Sequence, residues 1–455
     1  MLYQTIFKSS LAVAIAITLF SSAEAQNSLA IKGGKVIPVA GEAIENGTVL
    51  IRDGKIAAVG TDLTIPVDAQ IIDATGKVVM PGFVEAHSSE GLSQANETNP
   101  NVPYVSVMDG IDPMRPYFDS ARRNGVTSVA VVPGNSTMIG GQAAIIKTGG
   151  DFVDYMVLKR DAGMKISLRP TGQTSRMGHL AALRKALGDA KRKVESAAKK
   201  ESAAKKESDA KKAGDAKKAG DAKKEGDKAK DEGKSNDAAS SKTATKATSE
   251  TDSELTKALM KVVSGKLPVF IYCDKAMDVA YATQLIDQFK MQAILVLGRD
   301  CHKAAKQVAA TGLPVILDSQ MVFWDKDPRT DEEKKIVVSE SFRDQDVPFA
   351  FQVARSSNKT LGNNYLWYQA ATAVKYGMPK DEALKALTLV PAEFLGVDQF
   401  VGSLEKGKDG DVIILTGDPL KNGTWVETTI VNGEVVYKRD EDEKLKLLLG
   451  KTDQR

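Results

Sequence analysis

From Val78 onward, short and almost wholly apolar runs alternate with amphipathic stretches, and this alternation limits what the chain can fold into. Continuous Val/Ile/Leu runs are what strands look like when a parallel sheet buries both their faces. Strands are expected at Val78–His87, Thr127–Val132, Ala143–Lys147, Ile166–Leu168, Val269–Cys273, Ala293–Leu297, Pro314–Leu317 and Phe349–Val353. Helices are expected at Met114–Asn124, Met177–Leu187, Ala276–Phe289, Cys301–Thr311 and Tyr365–Tyr376. Eight such strands favour a closed (β/α)8 TIM-like barrel over an open sheet.

The two ends of the chain have a different grammar. Leu29–Val36, Thr48–Arg52, Lys55–Val59 and Gln70–Asp73 are short β-runs with turns between them, and β-runs return at Asp411–Leu415, Thr428–Val431 and Glu434–Tyr437. Asp53-Gly54 and Asn432-Gly433 mark hairpins, because both central residues of a type I′ turn need positive φ. The expected order is a signal peptide (1–25), first β-sandwich part (26–77), first barrel part (78–188), insert (189–252), second barrel part (253–400), second β-sandwich part (401–440) and tail (441–455). The sandwich is therefore a composite domain built from both chain ends.

Lys8, the apolar stretch Leu11–Phe20 and Ala23-Glu24-Ala25 form the three parts of a secretory signal, with cleavage before Gln26. The apolar stretch is short for a membrane span. An exported protein is expected, periplasmic or extracellular, with no transmembrane segment after cleavage. Its only cysteines, Cys273 and Cys301, would then meet an oxidising compartment, but sequence alone does not pair them. The formal net charge of +3 on 455 residues implies no specific nucleic-acid partner.

The insert repeats AAKKES and then DAKKAG with a six-residue step. That step spirals the lysine pairs around a helix and leaves no apolar stripe. A disordered, solvated loop is expected, with transient helix in its first part. A second reading makes it a basic arm that binds polyanions or the cell envelope.

Several segments together resemble the amidohydrolase superfamily, in its imidazolonepropionase-like branch. IIDATGKVVMPGFVEAH resembles the family's entry into the first barrel strand. VGSLEKGKDGDVIILTGDPL with IVNGEVVY resembles its carboxy-terminal return, and TSRMGHLAALRKAL, LPVFIYCDKAMDV and KYGMPKDEALKALTLVPAEFLGV resemble internal stretches. The resemblance implies a composite β-domain, a barrel carrying zinc or a similar divalent metal, and hydrolysis of non-peptide carbon–nitrogen bonds.

The implied ligands are largely replaced. A first-strand His-x-His becomes His87 and Ser89, although histidines at i and i+2 on a strand would face one ion together. The implied fifth-strand histidine falls in Ile271–Ala276, where Tyr272 and Asp274 stand in the imidazole positions. Leu297 replaces the sixth-strand histidine, and Ala354 replaces the eighth-strand aspartate. No acidic residue occurs between Pro348 and Tyr365. The other two histidines, His179 and His302, lack ligand spacing to His87.

The expected state is a metal-free, degenerate member with a binding or partner role. Its partners would be a small-molecule ligand, a second copy or an intact amidohydrolase paralogue. His87, Asp274 and Glu90 are the candidates for residual chemistry, in an alternative where an atypical or single metal, or no metal, supports hydrolysis. Ser89, Tyr272, Lys275, Gln352, Arg355 and Arg176 are the candidate ligand-binding side chains, with Arg176 read equally as a loop clamp. Pro133-Gly134-Asn135 and Ile139-Gly140-Gly141-Gln142 read as turns.

Overall fold

The computed structural model describes residues 28–218, 254–327, 329–353 and 364–450. The expected signal peptide lies outside them, as do Ala354, Arg355 and residues 219–252 of the insert. Among the described residues no helix is long and apolar enough to cross a membrane.

Among the described residues, one unit contains Ser28–Phe83, Ser120–Thr127 and Asp398–Gly450. Its strands are β1 (Ser28–Val36), β2 (Ile44–Arg52), β3 (Lys55–Gly60), β4 (Gln70–Asp73), β5 (Val78–Pro81), β16 (Val412–Leu415), β17 (Val426–Val431) and β18 (Glu434–Lys438). They form one sheet in the order β18-β17-β16-β5-β1-β2-β3, with β4 also paired to β1. Leu29, Ile31, Val49, Ile56, Val79, Val412, Ile414 and Ile430 share a buried core, so residues from both chain ends close it. Asp53, Gly54, Asn432 and Gly433 all have positive φ, as their turn type requires.

The other unit spans Val84–Asp119 and Ser128–Val397. Its strands are β6 (Phe83–Ser88), β7 (Val126–Val131), β8 (Ile139–Lys147), β9 (Val157–Ser167), β10 (Val269–Cys273), β11 (Ala293–Leu297), β12 (Val315–Ile316) and β15 (Phe349–Ala350). They run β15-β12-β11-β10-β9-β8-β7-β6 in the eight-stranded sheet of a TIM-like barrel. A separate hairpin joins β13 (Val322–Lys326) and β14 (Glu333–Val337).

Two expectations need correction. The run Val78–His87 is two strands, β5 and β6, parted at Gly82. A side chain there would sit 2.2 Å from Thr127 Oγ1, so only glycine allows the approach. The sheet is also not wholly parallel: β8 runs antiparallel to both β7 and β9. Residues 132–138 and 148–156 are too few for a crossover helix, so these connections make hairpins. Ile139–Gln142 is consequently the start of a strand and not a turn. A Cβ on Gly141 would lie 2.5 Å from Val105 O, and one on Gly140 would lie 3.2 Å from Lys165 Cβ.

The first part of the insert is helical, where transient helix was expected. Helix α1 (Pro116–Arg123) is followed by α2 (Arg176–Lys218), which passes residue 189 without a break. Leu180, Leu183, Leu187 and Ala190 are buried, and the apolar stripe ends with them. Beyond Ala190 the helix continues on Ala, Lys and Glu, which are strong intrinsic helix formers. Helix α3 (Ala276–Phe289) matches its expected span and is capped by Asp278, whose Oδ2 accepts from Asp274 N–H at 3.1 Å and Lys275 N–H at 2.9 Å. Helix α4 (Leu366–Lys375) follows β15.

Candidate functional site

His87 sits near the end of β6, where its side chain is almost fully buried. Lys165, on β9, has no exposed surface at all. Its Nζ lies 3.0 Å from His87 Nε2 and 2.5 Å from Asn135 Oδ1. The amide oxygen of Asn135 can only accept from it, whereas the role of His87 Nε2 follows from the ring tautomer. The same Nζ stands 5.4 Å from the centre of the Tyr272 ring. Phe270 flanks His87, with ring centres 6.4 Å apart.

The loop that carries Asn135 is tied down separately. Ser167 Oγ donates to Asn135 O at 2.8 Å, and Ser167 O lies 2.8 Å from His179 Nε2. Burial lowers the His179 pKa, which keeps the imidazole neutral. His179 is thus a buried strut at the start of α2. His302 is a surface residue of the turn after β11, with Nδ1 3.0 Å from Arg299 O.

At the end of β10, the Tyr272 hydroxyl donates to Asp274 Oδ1 at 3.1 Å. Burial and then the Asp274 and Asp318 charges push the Tyr272 hydroxyl well above its ordinary pKa. Burial also raises the carboxyl of Asp318, whose Oδ1 accepts from Gln320 N–H at 2.8 Å. Tyr272 therefore serves as a proton donor in hydrogen bonds, not as a base.

The expected site residues do not all converge. His87 and Tyr272 meet around Lys165, and Asp274 joins them through Tyr272. Ser89 is buried at the end of β6, and Glu90 is half-buried beyond it. Lys275 turns away to Asp300 at 2.6 Å. Arg176 pairs with the buried Asp278 and also donates to Leu168 O at 3.3 Å, which makes it a clamp between α2 and α3. Gln352 is buried, with its carbonyl accepting from Gln369 Nε2 at 2.6 Å. Cys273 and Cys301 are buried free thiols, Cys301 Sγ donating to Cys273 O at 3.1 Å. Burial pushes Cys301 up to about 12 and Cys273 up as well, so neither is a thiolate at neutral pH.

Lys165 and Asn135 are the residues that sequence reasoning missed. Lys165 is the one charged residue in Gly163–Leu168, a stretch whose every side chain is buried. A lysine between strand residues buried on both faces has nowhere to snorkel, and that was the available signal.

These donors do not suit the divalent metal that the fold implies. Zinc takes imidazole, thiolate or carboxylate ligands with free lone pairs. His87 Nε2 is already taken up by the Lys165 amino group at 3.0 Å, and Leu297 is an apolar, buried side chain. Among the described residues no three His, Cys, Asp or Glu side chains converge.

Comparison with known proteins agrees with this architecture. Residues 346–436 match the model of the Amidohydrolase family. The chain is 23% identical over 412 residues to amidohydrolase tasK of Hapsidospora irregularis, covering 84% of this chain and 39% of that protein. It is 52% identical over 52 residues to an imidazolonepropionase of Geobacillus, covering 10% of this chain and 12% of that enzyme. The alignments thus span well under half of these curated relatives. A crystal structure of an amidohydrolase from Thermotoga maritima superposes with a TM-score of 0.70 and 26% identity, over 90% of this chain and 100% of that one. These similarities support placing the chain with the amidohydrolase superfamily.

Proposed function

We propose that this protein is an exported amidohydrolase-fold member that works without the family's divalent metal and binds, rather than hydrolyses, its ligand. One observation carries the reading: Lys165 Nζ stands 3.0 Å from His87 Nε2, and so a fixed, fully buried lysine side chain occupies the reach of the retained family histidine. A divalent ion bound to that nitrogen would have to displace the lysine from its buried position. Ser89, Tyr272 and Leu297, standing where the resemblance implies imidazoles, support the same reading. The export step rests on the signal pattern of residues 1–25. A second copy or an intact paralogue is the partner this role favours.

Elemental analysis of purified protein tests the proposal. Less than about a tenth of an equivalent of zinc, manganese or iron is expected, with no hydrolysis of cyclic ureides or N-acyl amines after metal addition. One equivalent of tightly held metal, lost in His87→Ala, overturns it. A mature amino terminus at Gln26 in the exported fraction is the expected result for the signal, and an intact Met1 in the cytoplasm would overturn that part.

A further inference from the structure

The loop between β6 and α1 folds back over the start of β8 and lines a part-open cavity of about 470 Å³. None of its lining residues is Lys165, His87 or Asn135, although Pro133, Thr137 and Gly140 border that cluster. The walls are preformed. Gln142 N–H donates to Val105 O at 2.8 Å, Gly134 N–H to Ala95 O at 2.6 Å, and Glu97 N–H to Thr137 Oγ1 at 3.0 Å. A loop held at so many points loses little entropy when a ligand enters. Its size falls within the range of small-molecule sites, and Leu92, Val105, Val107 and Pro133 give it an apolar side.

The charges of the lining are one-sided. Glu97 and Asp109 contribute carboxylates, and no lysine or arginine lines the cavity. Tyr104 adds an aromatic side chain that is 38% exposed. Carboxylates alone would attract any cation, and hydrated metal ions prefer oxygen donors in tight, closed geometry. An aromatic face and an apolar wall instead favour an organic cation, which brings carbon surface together with positive charge. We propose that this cavity binds a small organic cation, an alkylammonium or alkylguanidinium group.

Calorimetric titration of the full chain with butylguanidinium, butylammonium, butyramide and butyrate tests this. The two cations should bind at least about tenfold more tightly than the neutral and anionic probes. Asp109→Asn and Glu97→Gln should each weaken the cations about three- to tenfold, and Tyr104→Leu should do so by a similar factor. All three residues are exposed, so unchanged thermal unfolding is expected in the variants. Absence of cation binding overturns the proposal. So does butyramide binding as tightly as butylammonium, or cation binding that survives all three substitutions. Cation binding abolished by Lys165→Met alone would place the ligand at the barrel centre and overturn it as well.

Discussion

Glu85 Oε2 accepts the Tyr117 hydroxyl at 2.7 Å, while its other oxygen is buried with no hydrogen-bond partner among the described residues. Burial pushes this carboxyl up to about 7, against the opposing influence of the Tyr117 hydroxyl, the Val353 N–H and the Ser88 hydroxyl. These groups favour the ionised form without giving Oε1 a partner, so desolvation wins. Glu85 is thus a carboxylic acid that takes up or loses its proton near neutral pH.

A pH dependence of stability follows. The folded pKa lies above the unfolded value, so the folded state holds the proton more tightly. The contribution is fully present below about pH 4.5 and is lost as pH rises through about 7. The shift corresponds to about 3 kcal/mol between those limits. Glu85→Gln keeps an acceptor for Tyr117 and removes the titration. Calorimetric melting of both proteins from pH 5 to 8.5 should show the variant gaining on the wild type up to about pH 7 and holding level above it. A constant difference across that range would refute the assignment.

The Lys165 contacts make a second prediction. Lys165→Met preserves much of the side-chain volume but takes the donor away from His87 Nε2 and Asn135 Oδ1, both in a buried setting. Leaving buried acceptors without their donor costs about 1–3 kcal/mol. Asn135→Ala combined with Lys165→Met should be less damaging than the sum of the two, because they remove one shared contact. Urea unfolding of the four proteins measures this, and strict additivity would mean the Lys165–Asn135 contact carries no coupling.

Much of this architecture is legible in the sequence because local rules and the global fold agree. Asp53-Gly54 and Asn432-Gly433 specify their hairpins through φ alone. Ala276–Phe289 reads correctly because its periodicity, its Asp278 cap and its burial coincide. The antiparallel β8 is less legible: its residues look like any buried strand, and only the short connections on either side betray its direction. Strands β13 and β14 carry Asp, Lys and Glu on exposed positions, so the hydrophobic pattern is silent there. Within the site, His87 and Tyr272 were found from strand ends. Lys165 was hidden because its role depends on a loop residue, Asn135, that is remote in sequence and met only through the fold.

Gly141 supplies a third prediction. Gly141→Ala would bring its Cβ to 2.5 Å from Val105 O, a backbone atom that cannot rotate away. The loop must shift, breaking the Gln142 N–H to Val105 O bond, at a cost of about 1–3 kcal/mol. Hydrogen exchange at Gln142 should accelerate in the variant while amides of β10 and β11 stay protected. Unchanged Gln142 protection would show that the loop does not depend on close approach to β8.

Arg176 separates a ligand-binding role from a clamping one. Its guanidinium pairs with Asp278, whose side chain is fully buried, and Asp278 also caps α3 through the N–H groups of Asp274 and Lys275. Arg176→Met would strand that carboxylate without its cation, which costs about 3–5 kcal/mol. The penalty should shrink as pH falls, because burial already raises the Asp278 carboxyl and the variant can neutralise it by taking a proton. Asp278→Asn should cost less than Arg176→Met, since it removes the charge together with its desolvation penalty, and the double variant should be more stable than Arg176→Met alone. Urea unfolding at pH 5 and pH 8 distinguishes the two roles. If Arg176→Met leaves stability unchanged at both pH values, the pair does not hold α2 to α3, and Arg176 is available for a ligand after all.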